Sequence, residues 1–145
     1  MSDKISTDSL FRKILKTKSL STFIQHNEQH MQPLDFCAML KAFCEQRDLI
    51  PERVILRAQI DRTYGHQLFN GTRHPSRDKV LQLALAIGLS VEETQQLLQS
   101  AGKSRLYPRL KRDATILFCL KNGYDLMQTQ EILSNYGLLL LGESL

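Results

Sequence analysis

The chain has 145 residues, 42% hydrophobic and 23% charged, values that indicate a folded globular protein and exclude a disordered chain. Its formal net charge of +4 at pH 7 favours an acidic partner, such as a nucleic acid or an anionic surface. No segment approaches the roughly 18 consecutive apolar residues of a membrane span. The N-terminus also lacks the apolar core of a signal peptide, so we expect a cytoplasmic protein with no membrane partner.

The sequence offers little for catalysis or cofactor chemistry. It has no Gly-rich phosphate loop, nucleophile elbow or paired carboxylates, so we expect no enzymatic activity and no cofactor. His26 and His30 are one helical turn apart but have no third ligand at a suitable spacing, so we expect polar surface side chains and no metal site. Three cysteines without a C-x-x-C pair predict buried, reduced thiols; they are Cys37, Cys44 and Cys119.

Apolar residues recur at helical spacing along the chain, so we predict an all-α protein. The first two helices are predicted at residues 8–16 and 20–30. We expect the apolar residues of these helices and of the C-terminal tail to lie in the core, with a seam between two copies of the chain as the alternative. These residues are Phe11, Leu15, Phe23, Ile24 and residues 138–141.

Five helices are predicted in the middle of the chain. Each begins at a proline, whose missing N–H would have no partner in the first turn, or after a capping side chain. Pro33 and Pro51 open two of them, and Ser90 with Glu93 forms a capping box before the last. The predicted ranges are 33–47, 51–59, 62–69, 77–87 and 91–101.

Two more helices are predicted towards the C-terminus. Pro108 is expected to open the first, which ends at Asn122-Gly123, and Asp125 is expected to cap the second, which ends at Gly137. The elements together predict three parts: an N-terminal helical extension over 1–32, a helical domain over 33–102, and a C-terminal helical extension packed on it over 103–145.

The two short helices predicted at 51–59 and 62–69 are joined by a very tight turn. This is the helix-turn-helix arrangement, in which the first helix braces against the DNA backbone and the second, the recognition helix, lies in the major groove. The sharp turn lets the second helix carry its N-terminal residues beyond the domain surface, towards base edges.

Residues 34–93 resemble the Xre family of lambda-repressor-like domains and follow its five-helix pattern. The most specific pieces are LFNG at the end of the recognition helix, R-x-P-S before the next helix, and LALAIGLSVEE at the end of the module. The match covers less than half of the chain. It implies sequence-specific binding to double-stranded DNA by a bacterial or phage-type transcriptional regulator, often a homodimer, but it indicates no particular small-molecule effector.

The resemblance and the helical geometry identify residues expected to contact bases. Arg62 and Thr63 lie in the exposed first turn of the recognition helix, and His66 and Gln67 lie one turn further on. Arginine can bind guanine through two acceptors, and glutamine can bind adenine in the same way. The alternative is that these residues are an ordinary solvated helix face.

A second set is expected to contact DNA phosphates. Asn70 matches a phosphate-binding position of the family, although C-capping is its alternative role. The other members lie at or near the N-terminus of the next helix, where unpaired amides attract anions. The four residues of this set are Asn70, Arg73, Ser76 and Arg77.

A basic run in the C-terminal part is a further candidate for phosphate binding. It would add sequence-independent affinity if it lies on the DNA face, and otherwise it is solvated surface. The run contains Lys103, Arg105, Arg109, Lys111 and Arg112, of which Lys103 and Arg105 are the expected additional contacts.

Two positions depart from the family pattern. Gln59 stands in the turn where glycine is usual, and Gly65 stands inside the recognition helix where an aliphatic residue is usual. Glycine in a helix interior costs about 1 kcal/mol relative to alanine, so we expect Gly65 to allow close approach of a neighbouring helix, with close approach to DNA as the alternative. These departures and the modest net charge support a rival function, a protein-interaction adaptor that has lost DNA binding. Single-stranded nucleic acid is disfavoured because the chain has no tryptophan.

Overall fold

The structure is a computed structural model and describes residues 6–31 and 35–143. All regular secondary structure in these ranges is helical, which confirms the predicted all-α class. None of the helices described is long and apolar enough to cross a membrane. In chain order they are α1 Thr7–Lys16, α2 Leu20–Asn27 with a 3-10 turn Glu28–His30, α3 Phe36–Glu45, α4 Pro51–Arg57, α5 Arg62–Asn70, α6 Arg77–Ile87, α7 Val91–Ser100, α8 Lys111–Lys121 and α9 Leu126–Asn135.

The chain divides into two compact units, residues 1–33 and 34–145. In the described part of the first unit, α1 and α2 bury only Phe23 and Asn27. The expectation of a core position is therefore confirmed for Phe23 and wrong for Phe11, Leu15 and Ile24, which are 62%, 71% and 41% exposed. The physical reason is size, because two short helices have too little apolar surface to enclose a core of their own.

The second unit contains α3 to α9 around a central helix, α6. Every residue of α6 from Val80 to Ile87 is buried, as expected for a helix surrounded by others. It packs against α4, α7 and α9. The C-terminal tail joins this core, because Leu141 is buried and Leu138 and Leu140 pack against it, as the apolar pattern predicted.

Most predicted helix starts are confirmed by their caps. The side chain of Ser76 accepts a hydrogen bond from the Lys79 amide, and Ser90 and Glu93 form the predicted capping box. Asp125 likewise caps α9. Helix α3 begins later than predicted, at Phe36 after the capping residue Asp35, and Pro33 lies outside the described residues.

The start of α8 is the other misplaced boundary. The helix begins at Lys111 instead of Pro108, because residues 107–110 form a separate turn. In this turn the Leu110 amide donates to the Tyr107 carbonyl over 3.0 Å, and the Tyr107 amide donates to the Asp113 carboxylate over 2.9 Å. The carboxylate thus holds the turn against the first turn of α8.

Helices α6 and α8 each carry an arginine followed directly by an aspartate in sequence, residues 77–78 on α6 and 112–113 on α8. Each arginine binds the aspartate of the other helix. Arg77 donates to both oxygens of Asp113 over 3.0 and 2.8 Å, and Arg112 donates to both oxygens of Asp78 over 3.0 Å each. We call these four residues the α6–α8 clamp. Both arginines also donate to loop carbonyls, Arg77 to residues 104 and 105 and Arg112 to residues 139 and 140.

The clamp carboxylates are ionised in spite of their burial. Burial is the largest single effect and would raise the pKa of Asp78 and of Asp113, but the arginine hydrogen bonds, the backbone hydrogen bonds and the positive charges of Arg77 and Arg112 together lower both pKa values. The Gly142 amide adds a bond to Asp78 over 3.0 Å. The clamp therefore connects α6, α8 and the C-terminal tail within the second unit.

Candidate nucleic-acid interface

Helices α4 and α5 are seven and nine residues long, and only residues 58–61 separate them. Gln59, in this turn, has φ +56°, which lies in the left-handed region that favours glycine. This conformation changes the direction of the chain after α4 ends, and the Ile60 amide donates to the Ile55 carbonyl over 3.3 Å. A tight turn is therefore formed without glycine, at a cost of about 1 kcal/mol in backbone strain.

Gly65 lies where α5 crosses α4. A Cβ atom at this position would lie 2.5 to 2.9 Å from three side-chain carbons of Ile55. Both residues are buried. The expected close approach of a neighbouring helix is confirmed, and Ile55 of α4 is the residue that requires it.

The start of α5 projects its polar residues outwards. Asp61 caps the helix by accepting a hydrogen bond from the Tyr64 amide over 3.1 Å. On the inner face Leu68 and Phe69 are buried. The residues expected to contact bases lie on the outer face: Arg62 and Thr63 are exposed, and His66 and Gln67 are partly exposed.

Glu52, in the first turn of α4, binds two of these residues. Its Oε1 accepts a hydrogen bond from Arg62 Nε over 2.6 Å, and its Oε2 lies 2.9 Å from His66 Nε2. The bonds from Arg62 and His66 lower the pKa of Glu52, and the same carboxylate raises the pKa of Arg62. A carboxylate therefore lies on the face that the sequence assigned to DNA.

Sequence reasoning missed Glu52 because its partners follow 10 and 14 residues later on another helix. Pairing across two helices depends on their crossing, which periodicity does not supply. One signal was present: the sequence places an acid, Glu52, in the first turn of α4 and a base, Arg62, in the first turn of α5.

Asn70 does not occupy the C-cap position that was its alternative role: it is the last residue of α5, and Gly71 follows as the C-cap in the left-handed conformation at φ +86°. The side-chain oxygen of Asn70 accepts bonds from the amide and the hydroxyl of Thr72. No residue in the described ranges accepts a bond from the Asn70 side-chain nitrogen. The exposed amide group therefore retains donors that a phosphate could accept.

The remaining residues expected at phosphate differ in their surroundings. Arg73 is exposed, and its amide donates to the Gln67 carbonyl over 3.2 Å. Ser76 accepts a bond from the Lys79 amide, which leaves its hydroxyl hydrogen for another acceptor. Both residues remain compatible with an anion beside the N-terminus of α6.

Arg77 has a structural role that corrects the sequence interpretation. Its guanidinium makes four hydrogen bonds within the protein, two of them to Asp113, and only 25% of its side chain is exposed. A phosphate would have to displace these bonds. The expected contact was based on the position of Arg77 at a helix N-terminus, and the proposed interface does not include it.

The structure locates the beginning of the basic run, which the sequence left unplaced. Because Arg77 donates to the carbonyls of Ser104 and Arg105, this backbone lies beside the first turn of α6. The next residue, Leu106, is fixed by two bonds to Gln95. Lys103, which is partly exposed, and Arg105, which is exposed, therefore flank the expected phosphate contacts. Arg112, from the same run, belongs to the α6–α8 clamp.

All three cysteines are free thiols, and the predicted burial is confirmed for Cys44 and Cys119 but not for Cys37. Cys44 and Cys119 are buried, and burial raises the pKa of Cys44 to about 11. Cys37 is half-buried, and its thiol donates to the Leu68 carbonyl over 3.3 Å. In the described part of the chain no three His, Cys, Asp or Glu residues are grouped as a metal site would require.

Comparison of the chain with protein-family models, with curated proteins and with solved structures finds no match. The family resemblance therefore rests on the sequence pieces that carry it. The function has to be argued from the local geometry of α4, α5 and the start of α6.

Proposed function

We propose that α3 to α7 form a lambda-repressor-like helix-turn-helix domain of the Xre type and that the chain binds double-stranded DNA sequence-specifically. In this proposal α5 is the recognition helix and lies in the major groove. The observation that carries the proposal is the exposed first turn of α5, in which Arg62 has 77% of its side chain in solvent. The biological role that follows is transcriptional regulation.

The outer face of α5 has chemistry suited to base edges. Arg62 supplies paired N–H donors for guanine, and Gln67 supplies a donor and an acceptor for adenine. Thr63 and His66 lie beside them and can donate or accept single hydrogen bonds. The inner face of α5 is anchored against α4 by the Gly65–Ile55 contact, so these side chains project from a fixed support.

Phosphate binding is assigned to donors around the turn between α5 and α6. Arg73 and the Asn70 amide are exposed there, and the Ser76 hydroxyl lies at the N-terminus of α6. Lys103 and Arg105 add positive charge beside that terminus. Such contacts hold a duplex without reading its sequence, because all phosphates are alike.

Fluorescence anisotropy with a duplex selected from a random pool tests these two roles. Arg62→Ala should reduce the preference for the selected sequence, since a bidentate arginine–guanine pair is worth about 1–3 kcal/mol of discrimination. Arg73→Ala should weaken binding to selected and unrelated duplexes alike, and should reduce the salt slope by about 1. Equal affinity of the native chain for every duplex would contradict sequence-specific binding.

Lys121→Ala is a matched control for the lost charge. Lys121 ends α8 and lines a surface depression with Gly88 and Arg57, beside the C-terminal ends of α6 and α4. The proposed phosphate contacts surround the opposite, N-terminal end of α6. Its removal should leave both affinity and preference nearly unchanged.

The second candidate function is the protein-interaction adaptor. Ile50 is 63% exposed and lines a shallow depression with Glu52 and His66, next to the proposed reading face. An apolar depression with a carboxylate at its edge suits a protein surface better than a phosphate backbone. Retention of a protein partner that is lost in His66→Ala, by a chain that retains no duplex, would favour this function.

A further inference from the structure

Glu52 holds Arg62 by one side of its guanidinium. The bond of 2.6 Å is made by Nε, and no other hydrogen bond of this guanidinium occurs in the described part of the chain. The Nη1 and Nη2 groups, at the far end, therefore remain in solvent on a side chain that is 77% exposed. Glu52 also lies within hydrogen-bond distance of His66, so a single carboxylate orients two side chains of the reading face.

This geometry matches what a guanine requires. Its O6 and N7 acceptors are spaced for two parallel N–H donors, and the Nη pair at the end of an arginine supplies them. A carboxylate on Nε restrains the rotation of the long side chain before DNA arrives. Less conformational freedom is then lost on binding, which favours the one base pair that the restrained arginine can reach.

The same carboxylate opposes binding to DNA in general. Glu52 is 50% exposed, and its hydrogen bonds keep its pKa low, so it is negatively charged at neutral pH. It neutralises Arg62 and adds a negative charge that DNA phosphates repel. Phosphate contacts determine affinity for all sequences, so this repulsion acts on every duplex equally.

We propose that Glu52 is the specificity-determining positioning residue of this interface: it directs Arg62 towards guanine and weakens binding to every duplex, so that a duplex with that guanine is bound in preference to the others. The inference rests on the proposed function, because it assigns a role within the same DNA-reading face. It differs from a stabilising role, since exposed ion pairs contribute little to folding and, among the described residues, the Glu52 carboxylate is bonded only to exposed or half-exposed side chains.

The test uses the full chain with Glu52→Gln, which keeps the shape of the side chain and removes its charge. Binding is measured to a selected duplex, to the same duplex with the guanine that depends on Arg62 replaced by adenine, and to a random duplex. We expect Glu52→Gln to bind the random duplex roughly twofold to fivefold more tightly. Discrimination between guanine and adenine should fall by at least about fivefold.

Two further variants separate positioning from a general charge effect. Glu92→Gln removes an exposed carboxylate from the first turn of α7 and should leave the discrimination unchanged. In an Arg62→Ala background, Glu52→Gln should no longer affect the choice between guanine and adenine, because the side chain that it positions is absent.

Each outcome decides the inference. If the native chain discriminates and Glu52→Gln discriminates equally well, Glu52 is not a positioning residue and the proposed function stands. If Glu52→Gln weakens binding to the random duplex, the assigned repulsion is wrong. If the native chain shows no preference among duplexes, the proposed function and the inference fail together.

Discussion

Gly65 is the residue that sets the distance between α4 and α5. Its hydrogen atom occupies the place where a Cβ would overlap Ile55, so Gly65→Ala should destabilise the fold although alanine is the better helix former. We expect a loss of about 1–3 kcal/mol in the free energy of unfolding, as for overpacked cores. Urea denaturation monitored by circular dichroism measures it.

A double-mutant cycle with Ile55→Ala checks the cause of that loss. If the clash with Ile55 is responsible, Gly65→Ala should cost much less in the Ile55→Ala background than in the native chain. Ser134→Ala, at an exposed position of α9, is the control and should change stability little. Equal costs of Gly65→Ala in the two backgrounds would show that the contact does not explain the glycine.

Gln59 gives a prediction of opposite sign. Its left-handed backbone is strained for any residue with a Cβ, so Gln59→Gly should stabilise the protein by about 1 kcal/mol. Gln46→Gly is the matched control, because Gln46 has φ −58° at the end of α3 and should lose stability from the added backbone freedom. Thermal unfolding of the two variants compares them, and destabilisation by both would contradict the assigned strain.

Residue roles that depend on neighbours in the sequence were predictable, whereas roles that depend on contacts between helices were not. Asp61 was predictable as a cap because capping depends on residues only a few positions away. The side chains that bind Glu52 and Arg77 were not predictable, because in each case the partner lies on another helix. Arginine can bind phosphate or carboxylate equally well, so the sequence alone does not distinguish the internal role of Arg77 from a role at DNA.

At the scale of elements, the α6–α8 clamp makes the C-terminal helices part of the second unit. Arg77→Ala would leave the Asp113 carboxylate, 3% exposed, with its bond to the Tyr107 amide and without a cation. We expect a loss of about 2–4 kcal/mol, because an unpaired buried charge is costly. Arg109→Ala, at an exposed position nearby, should be nearly neutral by urea denaturation. A small effect of both variants would contradict the structural role of the clamp.

The clamp also predicts sensitivity to acid. Asp78 and Asp113 have pKa values lowered below the ordinary 3.8, so they bind protons more weakly in the folded chain than in the unfolded chain. Their contribution is complete above about pH 5 and is lost as pH falls through the folded pKa values, below 3.8. Urea midpoints at pH 7 and pH 3 measure the loss.

Asp113→Asn provides the comparison for the acid effect. The variant should be less stable at pH 7, and its stability should fall less between pH 7 and pH 3, because one of the two titrating groups is gone. Asp48→Asn, at an exposed position outside the clamp, should leave the difference between the two pH values unchanged. An unaltered acid dependence in Asp113→Asn would show that the clamp does not cause it.

Helix starts were predictable where a capping side chain marks them and at Pro51, where proline alone marks the start, whereas at Pro108 the proline misplaced it. Ser76, Ser90 and Asp125 each precede a helix as expected. Pro108 suits a first helical turn but equally suits a β-turn, and the bond from Tyr107 to Asp113 selects the turn. That bond spans six residues and depends on how α8 is placed, so composition does not reveal it.

At the scale of the whole molecule, the two units differ in how well they bury their apolar residues. The second unit buries every residue of α6 from Val80 to Ile87, whereas Phe11, Leu15 and Leu20 of the first unit are more than 60% exposed. The spacing of apolar residues predicted the helices of both units, but it does not show which surface covers the apolar face of each helix. A seam between two copies remains the alternative expectation, and with it a palindromic target whose half-sites lie one helical turn apart.

The most direct test of base reading by α5 is a selection of bound duplexes from a random pool, performed with the native chain and with Arg62→Ala. We expect the native chain to select one shared motif and Arg62→Ala to lose a single guanine position from it, or two symmetric positions if the chain binds as a dimer. A native chain that enriches no motif, or an Arg62→Ala motif identical to the native one, would contradict the claim that the first turn of α5 reads bases.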